Sequence, residues 1–327
     1  MRPPDAQAAG MALDLALIRA AHDRIRSRIH RTPVLTSARL DEACGGRLFF
    51  KCENFQKAGA FKARGATNAV FALDDATAAR GVATHSSGNH AAALARAARL
   101  RGITAHIVMP SNSAKAKVRA VEGYGGKLTF CEPTQAARES TCARLVAETG
   151  ATMIHPFENE AVMAGQGTAT IELFEDAPDL DFILCPVGGG GLLGGTAIAA
   201  KALRPGIRVI ATEPAGAGDT ARSFLAGKII PLEHAETIAD GLRTTIGAPN
   251  FALARAHVDD VVTVSEEAIV AAMRTIWETL KIVIEPSAAV PYAAILERKV
   301  EVTGKRVGLI FTGGNVDLDA LPWLRQP

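Results

Sequence analysis

The sequence contains few aromatic residues and carries almost no net charge. Aromatic residues make up 5% of its 327 residues, whereas 48% are hydrophobic and 30 are glycine. This composition argues against disorder and favours helices packed closely on a sheet. The formal net charge is only +2, and the basic residues are scattered. The charge therefore argues against nucleic acid or an anionic membrane as the main partner.

Cysteine pairs at metal-binding or redox spacing are also absent from the sequence. The five cysteines are Cys44, Cys52, Cys131, Cys142 and Cys185. No two of them are separated by two residues, as zinc and redox motifs require. Their odd number and wide separation indicate reduced thiols and predict a cytoplasmic protein.

The sequence lacks a long, continuously apolar run. Residues 182–200 are uncharged, but the six glycines and one proline among them argue against a membrane-spanning helix. In the N-terminal stretch 1–25, Asp5 and Asp14 interrupt the apolar residues, and no small-residue cleavage site follows. We therefore predict no membrane contact and no secretory signal, but a tail that leads into an amphipathic helix.

Short β-like segments alternate with helical ones from residue 47 onward. Apolar residues recur at helical spacing in five segments: 89–102, 113–123, 134–148, 192–203 and 265–281. The alternation predicts an α/β protein with a parallel sheet and helices on both of its faces. A chain of this length can form one large unit or two domains. Because no Pro/Ser-rich linker occurs, two domains would be closely joined.

Four unusual segments lie at predicted strand ends or just beyond them. They are "SSGNH" (86–90), "GGGGLLGG" (188–195), "EPAGAGD" (213–219) and "TGGN" (312–315). Ligands of parallel sheets bind beyond the carboxyl ends of the strands. The four segments are therefore candidates for one shared site.

The glycine run after residue 187 supports two hypotheses. Because it follows a strand and begins a helix, its backbone N–H groups can converge on a phosphate. Alternatively, Gly189, Gly191 and Gly194 match G-x-G-x-x-G, and Glu213 ends the next strand, as in an NAD-binding oxidoreductase. Pro214 and the glycine-rich segment directly after Glu213 argue against the dinucleotide site.

Lys62 has an unusual setting within "KCENFQKAGAFKARGA" (51–66). Its neighbours are mostly small, and neither Ala58 nor Ala66, four residues away, is acidic. Desolvation lowers the pKa of a lysine amine and makes it a competent Schiff-base nucleophile. The alternative is a solvated lysine at the start of a helix.

These segments, together with "ETIADG" (236–241) and "TGGNVD" (312–317), resemble the fold-type II pyridoxal-phosphate enzymes. They are most similar to the group of serine racemase, serine/threonine dehydratases and L-threo-3-hydroxyaspartate ammonia-lyase. The resemblance extends from about residue 20 to the end. It implies a tryptophan synthase β-like fold, in which two α/β domains with parallel sheets hold the cofactor between them. Residues 1–75 and 159–327 would form the large cofactor-binding domain, and 80–157 the small mobile domain.

The resemblance also implies how the cofactor is held. Lys62 would form the Schiff base, Phe61 would pack near the ring, and Asn89 would bind the ring hydroxyl oxygen. Gly241 would line the Schiff base, and Thr312 would face the pyridine nitrogen. A hydroxyl there leaves that nitrogen essentially neutral, which suits β-elimination. The phosphate would be held by Gly188, Gly189, Gly190 and Gly191.

Substrate-binding residues are implied in the same way. The α-carboxylate would be bound by Ser86, Ser87, Gly88, Asn89 and His90. Ser87 would lie across the cofactor from Lys62 and could transfer a proton there, although a helix cap is the alternative role. His85, Arg138 and Thr244 would lie at the entrance. The spacing of Arg138 places it on the inward-facing stripe of its helix, and the alternative is an arginine that reaches solvent.

Glu213, Asp219 and the carbonyl of Ala217 match the divalent-cation site of the serine racemase group. Such oxygen ligands suit Mg²⁺, and also Mn²⁺ or Ca²⁺. The alternative is a pair of solvated loop carboxylates. This match also accounts for Glu213 without a dinucleotide. The resemblance further implies a homodimer.

The expected substrate is a small β-hydroxy-α-amino acid. A second carboxylate on the substrate needs a cationic partner, and Arg138 is the candidate. We therefore expect 3-hydroxyaspartate to be converted to iminosuccinate or oxaloacetate with release of ammonia. The alternatives are L-serine/L-threonine dehydration, serine racemisation, and a binding protein that carries the cofactor but releases no ammonia.

Overall fold

The computed structural model describes residues 13–86 and 88–324. Its strands are β1 (Val34–Leu35), β2 (Arg47–Cys52), β3 (Val82–His85), β4 (Ala105–Pro110), β5 (Lys127–Cys131), β6 (Thr152–Met153), β7 (Phe182–Pro186), β8 (Arg208–Pro214), β9 (Asp260–Val264) and β10 (Arg306–Phe311). Its helices are α1 (Leu15–Ile25), α2 (Ala38–Cys44), α3 (Lys62–Ala72), α4 (Asp75–Ala79), α5 (Asn89–Arg101), α6 (Lys115–Gly123), α7 (Gln135–Thr149), α8 (Glu160–Asp176), α9 (Gly191–Leu203), α10 (Asp219–Ala226), α11 (Ala248–His257), α12 (Glu266–Leu280) and α13 (Pro286–Leu296).

The strands form two sheets. One sheet has the order β1-β2-β10-β7-β8-β9 and the other β5-β4-β3-β6. Every strand pair is parallel except β1–β2, which is antiparallel. The predicted parallel α/β architecture is therefore confirmed, while the short antiparallel strand β1 was not anticipated.

The central strands of the larger sheet are buried along almost their whole length. All five residues of β7 are buried, and so are five of the six residues of β10. Continuous burial is typical of parallel strands whose two faces are both covered by helices. One core contains residues of α12 and α13, and another contains residues of α8 and α9. The sheet is therefore enclosed between two helical layers.

The predicted helices lie close to their expected bounds. α5, α6, α7, α9 and α12 begin and end within two residues of the predicted limits. Local capping explains two of the starts: the Thr134 and Ser265 hydroxyl oxygens accept hydrogen bonds from Ala137 N and Ala268 N. The expected amphipathic helix near the N-terminus is α1, whose N-cap is Asp14.

The smaller sheet consists of strands β3 to β6, which lie within residues 82–153. The strands before and after this range form the larger sheet. The domain limits predicted from the sequence stay a prediction. Within the part of the chain that the structure describes, no helix is long and apolar enough to cross a membrane.

Candidate active site

A cavity of about 650 Å³ lies where residues that follow strands of both sheets meet. It receives residues that follow β3, β7 and β10. Fifteen of its lining positions were selected from the sequence: Phe61, Lys62, His85, Ser86, Gly88, Asn89, His90, Arg138, Gly188, Gly189, Gly190, Gly191, Gly241, Thr244 and Thr312. Three of the four unusual segments thus share one cavity. Ser87 lies outside the described residues.

Segment 213–219 does not line this cavity, so the expectation of one site shared by all four segments is wrong. The loop is closed over its own carboxylate, because Glu213 accepts hydrogen bonds from Ala221 N at 2.6 Å and Thr220 N at 3.2 Å. Gly216 also packs tightly against the Glu236 carbonyl, where an added Cβ would lie at 1.9 Å. The loop therefore forms a separate site.

Lys62 is the first residue of α3 and lies in the cavity wall. Its Nζ donates a hydrogen bond to the Pro156 carbonyl at 2.8 Å and lies 5.1 Å from the centre of the Phe61 ring. Among the described residues, no carboxylate forms a salt bridge with it. Burial lowers the pKa of Lys62 to about 8. About a tenth of the amine is therefore neutral, and hence nucleophilic, near pH 7, far more than at an ordinary lysine.

The glycine run forms a tight turn between β7 and α9. Gly190 has φ +86°, and a Cβ added there would lie 2.7 Å from Asn250 Cβ. A Cβ on Gly189 would lie 2.4 Å from the Phe157 ring. Asn250 Nδ2 holds the turn by donating to Gly189 O at 2.7 Å. Since no side chain caps α9, the N–H groups of its first turn are available to an anion.

Thr312 lies on the cavity wall directly after β10. Its Oγ1 is buried and has no hydrogen-bond partner among the described residues. Burial of a hydroxyl without a hydrogen-bond partner costs free energy. A ligand atom that accepts or donates a hydrogen bond there would therefore stabilise the complex. This orphaned hydroxyl, the lysine and the glycine turn fit a group that bears an aldehyde, a ring nitrogen and a phosphate.

Asn89 begins α5 and is held by Asn315, from the candidate segment 312–315, and by Glu285, which the sequence analysis did not identify. Its Oδ1 accepts a hydrogen bond from Asn315 Nδ2 at 2.9 Å, and its Nδ2 lies 3.0 and 3.1 Å from the two carboxyl oxygens of Glu285. Burial, followed by the nearby Asp240 charge, raises the pKa of Glu285 to about 7. No local sequence motif marks Glu285, which directly precedes the Pro286 start of α13.

The residues expected at the entrance line the cavity, where Arg138 is half-buried and His85 is buried. Arg138, in the first turn of α7, donates to Gln135 one turn earlier, and no salt bridge joins it to a carboxylate of residues 13–86 or 88–324. The rings of His85 and His155 have centroids 5.6 Å apart. Burial lowers the pKa of both, that of His155 to about 4, so both are neutral near pH 7.

An ion pair between Lys117 and Asp240 joins the smaller-sheet side of the cavity to the larger-sheet side. The sequence analysis selected none of Lys117, Asp240 and His155. His90 lines the cavity but is almost fully buried, with its Nε2 3.2 Å from Ile154 O, and burial lowers its pKa to about 3.

Glu213 and Asp219 are both buried in the separate loop site, as is Ala217. Asp219 Oδ2 accepts a hydrogen bond from Ile246 N at 3.1 Å. Burial raises the pKa of Glu213 to about 8 and that of Asp219 to about 6. No cationic side chain of the described residues pairs with either carboxylate, and that part of the chain contains no cluster of three or more His, Cys, Asp or Glu suited to a metal.

The two parallel sheets and the lysine, glycine turn and hydroxyl between them define a cofactor-dependent α/β enzyme. A family model described as "Pyridoxal-phosphate dependent enzyme" matches residues 25–313, and the chain belongs to this family, with the fold-type II architecture. It is an enzyme of the dehydratase and racemase group. The dinucleotide hypothesis for the glycine run is thereby corrected.

Two relatives and one solved structure illustrate the similarity. The chain is 53% identical to a beta-hydroxyaspartate dehydratase of Paracoccus denitrificans (strain Pd 1222), over 93% of this chain and 96% of the relative. It is 49% identical to a serine racemase of Oryza sativa subsp. indica, over 97% of this chain and 95% of the relative. The structure of maize serine racemase superposes with a TM-score of 0.93 at 50% identity, covering 96% of each chain.

Proposed function

We propose that this protein is a pyridoxal-phosphate-dependent dehydratase that converts 3-hydroxyaspartate to iminosuccinate, and then oxaloacetate, with release of ammonia. The observation that supports this substrate is Arg138, a cavity-lining arginine that forms no salt bridge with a described carboxylate. A substrate with a second carboxylate provides the missing partner. The 53% identical relative is itself a beta-hydroxyaspartate dehydratase.

The cavity residues fit the cofactor. Lys62 would hold it through its amine, the N–H groups of Gly188 to Gly191 would bind its phosphate, and Thr312 Oγ1 would pair with its ring nitrogen. Asn89 would donate to its ring oxygen, beside Phe61 and Gly241. When bound, pyridoxal phosphate supplies an electron sink for the charge that develops at the substrate α-carbon.

Proton transfer is assigned to the Lys62 amine, which would be free for it once the substrate amine has displaced Lys62 from the cofactor aldehyde. Its lowered pKa leaves part of the amine neutral near pH 7, so Nζ can accept the α-proton. Loop 86–90 would bind the α-carboxylate. Loss of the α-proton and the β-hydroxyl as water leaves an enamine, which tautomerises to the imine. Hydrolysis of the imine consumes one water and gives oxaloacetate and ammonia.

The second candidate is activity on a mono-carboxylate, either L-serine or L-threonine dehydration or serine racemisation. The near-equal identity to rice serine racemase favours it. Ser87 is proposed as the group that would transfer a proton on the face opposite Lys62. Such a substrate needs only the α-carboxylate loop and leaves Arg138 unused.

We also propose a divalent cation, with Mg²⁺ preferred over Mn²⁺ or Ca²⁺, at Glu213, Asp219 and the Ala217 carbonyl. Two buried carboxylates that pair with no cationic side chain of residues 13–86 or 88–324 fit such an ion, because burial of unpaired negative charge is costly. A homodimer, a cytoplasmic location and the division into a large and a small mobile domain complete the proposal.

The test is a substrate panel with wild-type protein. We expect ammonia and oxaloacetate from at least one 3-hydroxyaspartate stereoisomer, with kcat/KM well above those for L-serine, D-serine and L-threonine. Borohydride should abolish the visible absorption band and add the cofactor mass to the Lys62 peptide. A preference for threonine or serine would contradict this proposal and support the second candidate, activity on a mono-carboxylate.

A further inference from the structure

Glu285 is a buried carboxylic acid in the cavity wall for which the proposed reaction has no use. Its backbone N–H donates to Gly313 O at 2.9 Å, which fixes the residue between β10 and α13. Its side chain is buried, and no Lys, Arg or His of the described residues forms a salt bridge with it. Its contacts in the cavity are therefore with a neutral amide.

That amide is the Asn89 side chain, and its orientation is determined by its neighbours. Asn315 Nδ2 donates to Asn89 Oδ1 at 2.9 Å and to Ala58 O at 2.8 Å, so Asn89 Oδ1 is the acceptor. Asn89 Nδ2 must then face Glu285. One of its two N–H bonds is directed at the carboxyl group, and the second stays available to a ligand.

The charged groups that face Glu285 are Asp240, from the turn before Leu242, and Lys117, from α6. Asp240 disfavours the ionised form and Lys117 favours it, but these two residues pair with each other. The other partners are neutral donors, namely Asn89 Nδ2 and the Asn315 N–H. Burial outweighs them, so the carboxyl group of the cofactor-free protein titrates near neutral pH.

We propose that Glu285 takes up one proton from solvent when pyridoxal phosphate binds, so that Asn89 presents its free N–H to the anionic ring oxygen without a second negative charge beside it. The inference depends on the proposed placement of that oxygen at Asn89. Two anions that share one small, buried donor repel each other, and protonation of the carboxyl group removes the repulsion.

Proton uptake is measurable without catalysis. Cofactor-free protein is titrated with pyridoxal phosphate in a calorimeter, in two buffers of different ionisation enthalpy, at about pH 5.5 and about pH 8.5. The matched variant is Glu285→Gln, which keeps the acceptor for Asn89 Nδ2 but cannot titrate. At the higher pH the wild type should take up about one proton more than the variant, and at the lower pH the difference should vanish.

The affinity provides a second readout. Above about pH 7 the cofactor affinity of the wild type should fall by up to about tenfold per pH unit relative to Glu285→Gln. Asp240→Asn serves as a control, because it removes a neighbouring carboxylate and should keep the extra proton at about pH 8.5. If Glu285→Gln does not fold, Glu285→Ala gives the same comparison, since it also cannot titrate.

The two ways of failing are distinguishable. If pyridoxal phosphate binds and forms its visible band but wild type and variant show equal proton counts and parallel affinities, Glu285 does not take up the proton. If no binding heat and no visible band occur, the cofactor assignment at Lys62 fails, and the inference about Glu285 fails with it.

Discussion

The cofactor wall (Lys62, Gly188–Gly191 and Thr312) and the entrance (His85, Lys117 and Arg138) are built differently. The cofactor wall consists of backbone groups, a buried hydroxyl and one amine, and added side chains would clash in the glycine turn. The entrance consists of two half-buried side chains, Lys117 on α6 and Arg138 on α7, and of buried His85 at the end of β3. We therefore propose that the wall fixes the cofactor and the reaction class, whereas the entrance side chains select the substrate.

Among the substitutions that test this comparison, Lys62→Ala should have the largest effect on activity. Loss of the amine that holds the cofactor and accepts the α-proton should reduce kcat by about 10²–10⁴-fold, the range for removal of a general acid–base group. The visible cofactor band should disappear with it. Lys57→Ala, a lysine five residues earlier that does not line the cavity, should leave both unchanged. Equal losses in the two variants would contradict the assignment.

A smaller effect should come from Gly190→Ala. An alanine there combines a positive φ with a Cβ 2.7 Å from Asn250, so the turn must shift and cofactor affinity should fall by about tenfold or more. Gly102→Ala is the matched control, because φ is +71° but nothing lies within 4 Å of the added Cβ. Both should lose stability, as measured by urea unfolding. Only Gly190→Ala should bind the cofactor more weakly.

The smallest effect should come from the loop site of Glu213 and Asp219, which touches neither the cofactor wall nor the entrance. Chelation should lower Tm by a few degrees, as expected for loss of about 1–2 kcal/mol in a chain of this size, and Mg²⁺ should restore it. Asp219→Asn should be insensitive to both treatments. A variant that still responds to Mg²⁺ like the wild type would show that the ion binds elsewhere.

The sequence predicted the regular elements well where periodicity was long. α5, α7 and α12 carry several turns of apolar spacing, so their bounds could be read to within two residues. β1 could not be predicted, because two residues show no alternation and its pairing depends on distant β2. β6 is equally short, since only Thr152 and Met153 pair with β3.

The candidate site shows the same limit. Glycine runs and an isolated lysine stand out locally, so the residues of the cofactor wall were selected from the sequence. Glu285 and His155 lie outside every candidate segment, and they act through contacts with distant residues, namely Asn89 and His85. Such side chains become visible only when the fold brings the segments together.

Selectivity at the entrance tests the central claim most directly. The measurement is kcat/KM for 3-hydroxyaspartate and for L-serine in wild type, Arg138→Ala and the control Arg144→Ala. Arg144 lies on the same helix but pairs with Glu148 in solvent. We expect Arg138→Ala to lose about 30-fold or more on 3-hydroxyaspartate, roughly 2 kcal/mol, and little on L-serine, while Arg144→Ala resembles wild type. Equal losses on both substrates, or no loss on 3-hydroxyaspartate, would contradict the claim that the entrance selects a diacid.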